Sequence, residues 1–120
     1  MKQTFVNFSR SHTNKWTDEM RDEALDLVND GELVNVAFPV VEPSATKEEV
    51  YKMADECVEK IMGNNPAVVY CLGDLSLLYR VVELLKAKGV KVVTACNERI
   101  VSKRDEGKIA GFRFVQFREF

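Results

Sequence analysis

The stretch that decides the fold is residues 67–95, AVVYCLGDLSLLYRVVELLKAKGVKVVTA. Its first six residues are nearly continuously apolar, as expected of a strand that is covered on both faces in a parallel sheet. Apolar residues then recur at helical spacing, and Lys86, Lys88 and Gly89 suit the carboxyl end of a helix. The last six residues read as another strand. The stretch therefore predicts a β-α-β unit with parallel strands.

The same alternation continues towards the amino terminus. Residues 4–9 (TFVNFS) and 33–38 (LVNVAF) are rich in strand-forming residues and predict two further strands. A helix follows each strand, with Thr17 as the N-cap of the first and Thr46 as the N-cap of the second. The sequence Asn29-Asp30-Gly31 ends the first helix. The sheet is therefore predicted to contain about four mainly parallel strands.

The carboxyl-terminal part departs from this alternation. Residues 99–103 and 108–120 predict a β-hairpin with its turn at Arg104-Asp105-Glu106-Gly107. The spacing of the phenylalanines breaks strand phase, which predicts a bulge or bend near Val115-Gln116. The aromatic residues of this hairpin are expected to complete the core or form a homodimer surface. An RNA-stacking platform is the alternative, because Arg113 and Arg118 alternate with the aromatics.

These elements predict a single Rossmann-like α/β domain over residues 1–120. It has three layers, with helices on both faces of a mainly parallel sheet of about four strands, plus the C-terminal β-hairpin. A sheet with helices on one face only is the alternative. The 120-residue length and the 46% hydrophobic and 30% charged composition are typical of one globular domain.

Composition also limits the partners, cofactors and location. The formal net charge of −2 gives no basic stripe, so we expect no binding to duplex DNA. No apolar run approaches the roughly 20 residues that span a bilayer, so we expect a cytoplasmic protein with no membrane partner. Cys57, Cys71 and Cys96 are expected to be reduced core residues. No cofactor is indicated, and no His, Cys or carboxylate spacing indicates a metal site.

A ligand is expected at the carboxyl ends of the strands, where connections leave the sheet in opposite directions. Hydroxyl groups, helix-terminal amides and cationic side chains there suit an oxyanion or a nucleotide, and an indole ring could stack on a base. The candidate ligand-binding residues are Ser9, Arg10, Thr13, Lys15, Trp16, Gly73, Asp74, Ser76, Asn97 and Arg99.

A structural interpretation of the same residues stands beside this one. The loop after the first strand then only connects that strand to the first helix. Trp16 is then a hydrophobic staple, the apolar residue that precedes the N-cap Thr17. Asp74 is expected to cap the third helix, since its carboxylate would repel a phosphate there. The glycine-rich motifs of nicotinamide-binding and P-loop proteins are absent from the sequence.

The candidate catalytic residues are His12 and Ser11. The imidazole of a histidine titrates near neutral pH, which suits proton transfer, and it is the only histidine of the chain. A serine beside a histidine suggests a nucleophile and a base, but the G-x-S-x-G motif of serine hydrolases is absent. Whether the protein is an enzyme is left open by these residues.

Two stretches carry a resemblance to a known group of proteins. Residues 67–79 (AVVYCLGDLSLLY) and 84–99 (LLKAKGVKVVTACNER) resemble the small CRISPR-associated proteins of the ring-nuclease and CARF-like group. In that group a strand ends in glycine plus an acidic or small residue, a hydroxyl residue opens the next helix, and the following strand ends near Glu-Arg. Residues 7–16 (NFSRSHTNKW) are similar to the first loop of a CARF domain.

The resemblance implies a homodimer that binds a cyclic oligoadenylate, a nucleotide second messenger of CRISPR-linked defence. It also implies that such a protein can be a metal-independent phosphodiesterase that opens the ring. The pocket would then be lined by Ser9, Ser11 and His12 together with Gly73, Asp74, Ser76, Asn97 and Arg99. Two alternatives remain. One is a non-catalytic module that binds another phosphorylated small molecule or a flavin, and the other is a subunit that binds a partner protein.

Overall fold

The computed structural model describes the backbone of residues 2–104 and 107–120, and the side chains of these residues outside 101–110. The domain is a mixed α/β structure with one five-stranded sheet. The strands are β1 (Thr4–Ser9), β2 (Glu32–Ala37), β3 (Val68–Cys71), β4 (Lys91–Arg104) and β5 (Gly107–Glu119), and the helices are α1 (Asp18–Leu27), α2 (Lys47–Met62) and α3 (Leu75–Ala87).

The strand order is β2-β1-β3-β4-β5. The first four strands are parallel to one another, and β5 pairs antiparallel with β4. Helices cover both faces of the sheet, so the three-layer arrangement expected from the sequence is observed. None of the helices among the described residues has the length and apolar character needed to cross a membrane.

Local sequence signals account for the ends of the helices. Thr17 and Thr46 accept hydrogen bonds from the backbone amides of Met20 and Glu49, so both predicted N-caps are confirmed. Asn29 and Asp30 adopt the left-handed conformation, with φ of 52° and 55°, and the chain turns there from α1 into β2.

The core has two parts because residues alternate across each strand. Phe8, Val69 and Val92 face α2 and α3. Phe5, Tyr70 and Val93 face α1, where Trp16, Phe114 and Phe117 complete the packing. We call these sides of the sheet the α2–α3 side and the α1 side. The predicted role of the last aromatics in the core is confirmed for Phe114 and Phe117.

The predicted number of strands was wrong. The fourth strand and the first half of the hairpin form one continuous strand, β4, because residues 96–98 (Cys-Asn-Glu) contain no glycine or proline to end it. The predicted bulge is confirmed, since Cys96 pairs with Gln116 and Asn97 pairs with Phe114. Val115 is therefore the extra residue. The two central residues of the predicted turn, 105 and 106, lie outside the described residues.

Candidate functional site

The strand order places the carboxyl ends of β1 and β3 side by side. Phe5 to Phe8 of β1 pair with Val68 to Cys71 of β3. The chain leaves β1 towards the α1 side and leaves β3 towards the α2–α3 side. In open α/β sheets a ligand crevice lies at such a point, where the connections diverge. The loop of residues 9–16 and the connection of residues 72–74 both begin there, as predicted for neighbouring strands.

A polar network on the α1 side fixes the loop after β1. Asn7 is 1% exposed, and its Nδ2 donates to the backbone oxygen of Ser11 (2.7 Å) and to Oδ1 of Asn35 (2.9 Å). The hydroxyl of Ser9 donates to Oδ1 of Asn7 (2.7 Å). Asn35 Oδ1 also accepts from the backbone N–H of Thr13 (3.0 Å), and its Nδ2 donates to the Thr13 hydroxyl (3.1 Å). These bonds join β1, β2 and the loop.

Sequence reasoning missed both asparagines of this network. Each interrupts an otherwise apolar strand, Asn7 in TFVNFS and Asn35 in LVNVAF, and the two residues are direct register partners. A polar side chain within an apolar strand is the signal that could have identified them. Asn7 is buried and its amide requires hydrogen-bond partners, and Asn35, which is exposed on the edge strand β2, supplies one of them. Ser9 and Thr13 are buried, and their hydroxyl groups form hydrogen bonds within the network.

Trp16 belongs to the core of the α1 side. Its side chain is 7% exposed and meets the rings of Phe5 and Tyr70 edge to face, with ring centroids 6.1 Å and 5.5 Å apart. The Arg21 guanidinium donates to the Trp16 backbone oxygen (2.8 Å) and holds the loop from the other end. This position favours a packing role for Trp16 over stacking on a base, because other aromatic rings enclose the indole.

His12 is exposed and caps the single 3₁₀ turn Thr13–Lys15. Its Nδ1 accepts the backbone N–H of Asn14 (3.0 Å). Neutral His12 therefore carries its proton on Nε2, which is a hydrogen-bond donor. Its lone pair at Nδ1 is already used in the cap. His12 is thus arranged to donate to an anion, and it could accept a proton at Nδ1 only if the cap bond broke.

The connection after β3 is closed by its own side chains. Asp74 Oδ1 accepts the backbone N–H groups of Ser76 and Leu77 (both 3.1 Å) and the Ser76 hydroxyl (2.7 Å). The hydrogen bond from Ser76, followed by the amide of Leu77, lowers the pKa of Asp74. The Asp74 carboxylate thus accepts hydrogen bonds from the first free backbone amides of α3. Asp74 and Ser76 have the capping role there, and a phosphate would be repelled.

Gly73 is required by packing. A Cβ atom at this position would lie 2.5 Å from the Phe38 ring, which is buried and stacks on Phe8 with ring centroids 4.8 Å apart. Phe38 follows β2 and covers the carboxyl ends of β1 and β3 on the α2–α3 side. A small cavity beside it, about 80 Å³, is lined by Phe8, Val36, Pro39 and other residues. It has room for only a few water molecules.

Neither buried side chain at the end of β3 is arranged as a nucleophile. Burial raises the pKa of Tyr70 to about 12 and that of Cys71 to about 12. Both are therefore neutral at physiological pH. Burial also raises the pKa of Cys57. Cys57 and Cys71 are free core thiols, and Cys96 is a free, half-buried thiol on β4.

The remaining predicted residues lie at the carboxyl edge of the sheet. Arg10, Ser11 and Lys15 are exposed on the loop after β1. Asn97 and Arg99 are exposed on β4 and pair with Phe114 and Phe112. Because Phe114 packs in the α1-side core, alternation puts both β4 residues on the α1 side. The structure therefore separates the predicted set into an α1-side group and the capped connection after β3.

We define the loop-and-strand surface as the exposed members of the α1-side group. They combine hydroxyl, amide and imidazole donors with three cationic side chains, a set suited to binding an anion. Its residues are Arg10, Ser11, His12, Lys15, Asn97 and Arg99. Among the described side chains, no three His, Cys, Asp or Glu residues are grouped to hold a metal ion.

Replacing Gly73 tests the close approach of Phe38. Gly73→Ala should lower the free energy of unfolding by about 1–3 kcal/mol, because the new methyl group overlaps the Phe38 ring. In the double variant Gly73→Ala/Phe38→Leu, the loss should be smaller than the sum of the two single losses by about 0.5 kcal/mol or more. Urea denaturation of the four proteins measures this coupling, and additive losses would contradict the contact.

Replacing Asp74 tests the cap of α3. Asp74→Ala should lower the free energy of unfolding by about 1 kcal/mol at pH 7, and Asp74→Asn should retain most of it. Since folding lowers the pKa of Asp74, its contribution is complete above the unfolded-state pKa of about 3.9 and is lost as pH falls through the lower folded-state value.

Denaturation at several pH values measures both effects. Wild type should therefore lose more stability than Asp74→Asn on acidification below about pH 4. Asp55→Ala, an exposed carboxylate within α2, is the control and should change the free energy of unfolding by less than about 0.5 kcal/mol. Equal stability of wild type and Asp74→Ala at pH 7 would show that the cap contributes nothing.

Comparison with known proteins adds one match. Residues 2–118 match the model of a family described as "Uncharacterized protein MJ1673 family". No curated protein and no solved structure matches the chain.

Proposed function

The chain belongs to the MJ1673 family, and we propose that it is a Rossmann-like domain that binds a cyclic oligoadenylate at the loop-and-strand surface. The observation that carries the proposal is the adjacency of β1 and β3. It creates the point of diverging connections at which doubly wound domains bind nucleotides. The proposal includes a cytoplasmic homodimer in CRISPR-linked defence, as the sequence resemblance implies.

The chemistry of the surface supports a ligand with several phosphates. Arg10, Lys15 and Arg99 supply positive charge, and charge-assisted hydrogen bonds to phosphate are stronger than neutral ones. Ser11 and Nε2 of His12 add neutral donors on the same side of the sheet. The connection after β3 has the opposite character, because Asp74 places a negative charge there. A phosphate is therefore favoured beside the loop after β1.

Binding without cleavage is the function that these residues support best. In metal-independent cleavage a ribose 2′-oxygen bonds to the adjacent phosphorus and the bond from phosphorus to the 5′-oxygen breaks. The 2′-hydroxyl loses a proton to an acceptor, and the 5′-oxygen gains one. His12 offers a donor at Nε2, but its Nδ1 holds the Asn14 amide. The loop-and-strand surface thus supplies donors to the phosphate and lacks a proton acceptor.

A second candidate ligand is flavin mononucleotide. The strand order 2-1-3-4 is that of flavodoxin-like domains, in which this cofactor binds where β1 and β3 diverge. Its single phosphate would use the same cationic surface. A yellow chromophore in the purified protein, or a shift of melting temperature with flavin mononucleotide and none with the cyclic oligoadenylates, would favour this candidate.

Thermal shift with mass spectrometry tests the function. Cyclic tetra-adenylate or hexa-adenylate should raise the melting temperature, because a ligand bound to the native state at 100 times its Kd adds about 2.7 kcal/mol. The ring should be recovered intact. The absence of a shift up to about 1 mM of either ring would contradict the proposal. Recovery of linear product would contradict binding without cleavage and identify an enzyme.

Matched variants locate the site. Ser11→Ala/Arg99→Ala should weaken binding at least tenfold, since it removes one neutral and one charged hydrogen bond, about 1.4 kcal/mol or more. Arg113→Ala is the control, because Arg113 is exposed on the neighbouring strand but lies on the opposite side and pairs with Glu98. Its affinity should stay within about twofold of wild type. Equal affinity of the double variant and the control would place the site elsewhere.

A further inference from the structure

Strands β4 and β5 continue far beyond the rest of the sheet. The last pair between β3 and β4 is Tyr70 with Val93, whereas β4 extends to Arg104. We define the arm as residues 97–104 and 107–114. Eight residues of strand span about 27 Å. The radius of gyration is 16.0 Å, compared with about 13.6 Å for a compact chain of this length.

Among the arm residues whose side chains the structure describes, two large apolar side chains are exposed. On the α1 side, Phe117 and Phe114 are each 9% exposed beneath α1, but Phe112, the next residue on that face, is 78% exposed. Ile100, on the other face, is 42% exposed. An isolated two-stranded ribbon is at best marginally stable in water. The arm therefore has both the surface and the physical need for a partner.

Charge indicates what that partner is. Residues 97–114 contain five basic and three acidic residues, a net charge of +2. The ten residues of α1 contain five acidic and one basic residue, a net charge of −4. The acidic side chains Asp22 and Asp26 are exposed, and they lie one helical turn apart. The chain thus carries a basic apolar ribbon and an acidic helix, a self-complementary pair.

We propose that the α1 side of the arm, with Phe112 and Arg99, packs against α1 of a second copy of this chain. Both elements lie on the same side of the sheet. Two copies that face each other with their α1 sides, related by a two-fold axis, place each α1 over the other copy's arm. The same contact then forms twice, as in isologous dimers.

The available area suits a weak, reversible dimer. Because α1 of the same chain already covers Phe114, the free part of the arm is about six residues long, and one of its faces measures about 20 Å by 10 Å, or about 200 Å². Each copy contributes one arm face and one receiving surface on α1, so the two contacts bury about 800 Å² in total. This value is in the range of weak and transient interfaces. The existence of a homodimer is part of the proposed function, and this inference rests on it in that respect alone. The arm contact adds which surfaces of the two copies meet.

Sedimentation analysis without ligand tests the contact. Wild type should be a dimer whose dissociation constant rises with salt, since part of the attraction is electrostatic. Phe112→Ala should raise that constant at least tenfold. Phe120→Ala is the control, because Phe120 is 41% exposed but lies outside the arm, and it should change the constant less than about twofold.

Three outcomes would overturn the contact. The first is a wild-type monomer at all concentrations, and the second is an equal dissociation constant for wild type and Phe112→Ala. The third is a monomer that binds single-stranded RNA through Phe112. The arm would then be a surface that binds a nucleic acid and not a second copy of the chain. Circular dichroism of Phe112→Ala excludes misfolding, since its far-ultraviolet spectrum should match that of wild type. Its melting temperature should be lower than that of wild type at high protein concentration, because association stabilises the native state.

A charge exchange identifies the two surfaces that meet. Arg99→Glu alone and Asp22→Lys/Asp26→Lys alone should each dimerise at least tenfold more weakly than wild type, because like charges then meet in both contacts. A mixture of the two variants should form heterodimers, since every contact in the mixed pair joins opposite charges. Arg113→Glu, on the other side of the arm, should dimerise like wild type. Absence of heterodimers would overturn the assignment of α1.

Ligand binding separates this inference from the proposed function. A dimer that shows the predicted Phe112 and charge-exchange effects but no thermal shift with cyclic oligoadenylate would support the arm contact and contradict the function. A monomer that shows the thermal shift would contradict the arm contact and support the function. Arg99 is part of both proposals, so its variants are compared here only in the absence of ligand.

Discussion

The burial of β1 is the constraint on which the rest of this structure depends. All six residues from Thr4 to Ser9 are buried, because β1 pairs with β2 and β3 and is covered on both faces. A strand in this position cannot satisfy polar side chains with solvent. Asn7 and Ser9 therefore bond to Asn35 and to the loop after β1, and the same bonds that satisfy them fix that loop.

The two sides of the carboxyl edge differ because different residues cover them. On the α2–α3 side, Phe38 fills the space against Gly73, and Asp74 occupies the first amides of α3. That side is apolar at Phe38 and carries the negative charge of Asp74. On the α1 side the fixed loop exposes cationic and hydroxyl groups, and the arm continues the same surface outward. The ligand proposal and the dimer proposal both place their contacts on the α1 side for this reason.

Local signals in the sequence predicted the elements, and non-local contacts account for what was missed. The caps Thr17 and Thr46 and the bulge at Val115 follow from neighbouring residues, and all three are present. The continuity of β4 was missed. The absence of glycine and proline at residues 96–98 permits a continuous strand, but only the pairing with β5 shows that the strand continues through them. The contact between Asn7 and Asn35 joins residues 28 positions apart, and it depends on a register that only the folded sheet defines.

The most direct test of the account is a backbone-amide NMR titration with cyclic tetra-adenylate. Binding at the α1 side of the carboxyl edge predicts the largest shift changes at Arg10 to Lys15 and at Asn97 and Arg99, with small changes in α2. Amides near Ser76 should shift less, because Asp74 holds them in the cap. The largest changes in α2 or α3, or no changes at saturating ligand, would contradict the placement of the site.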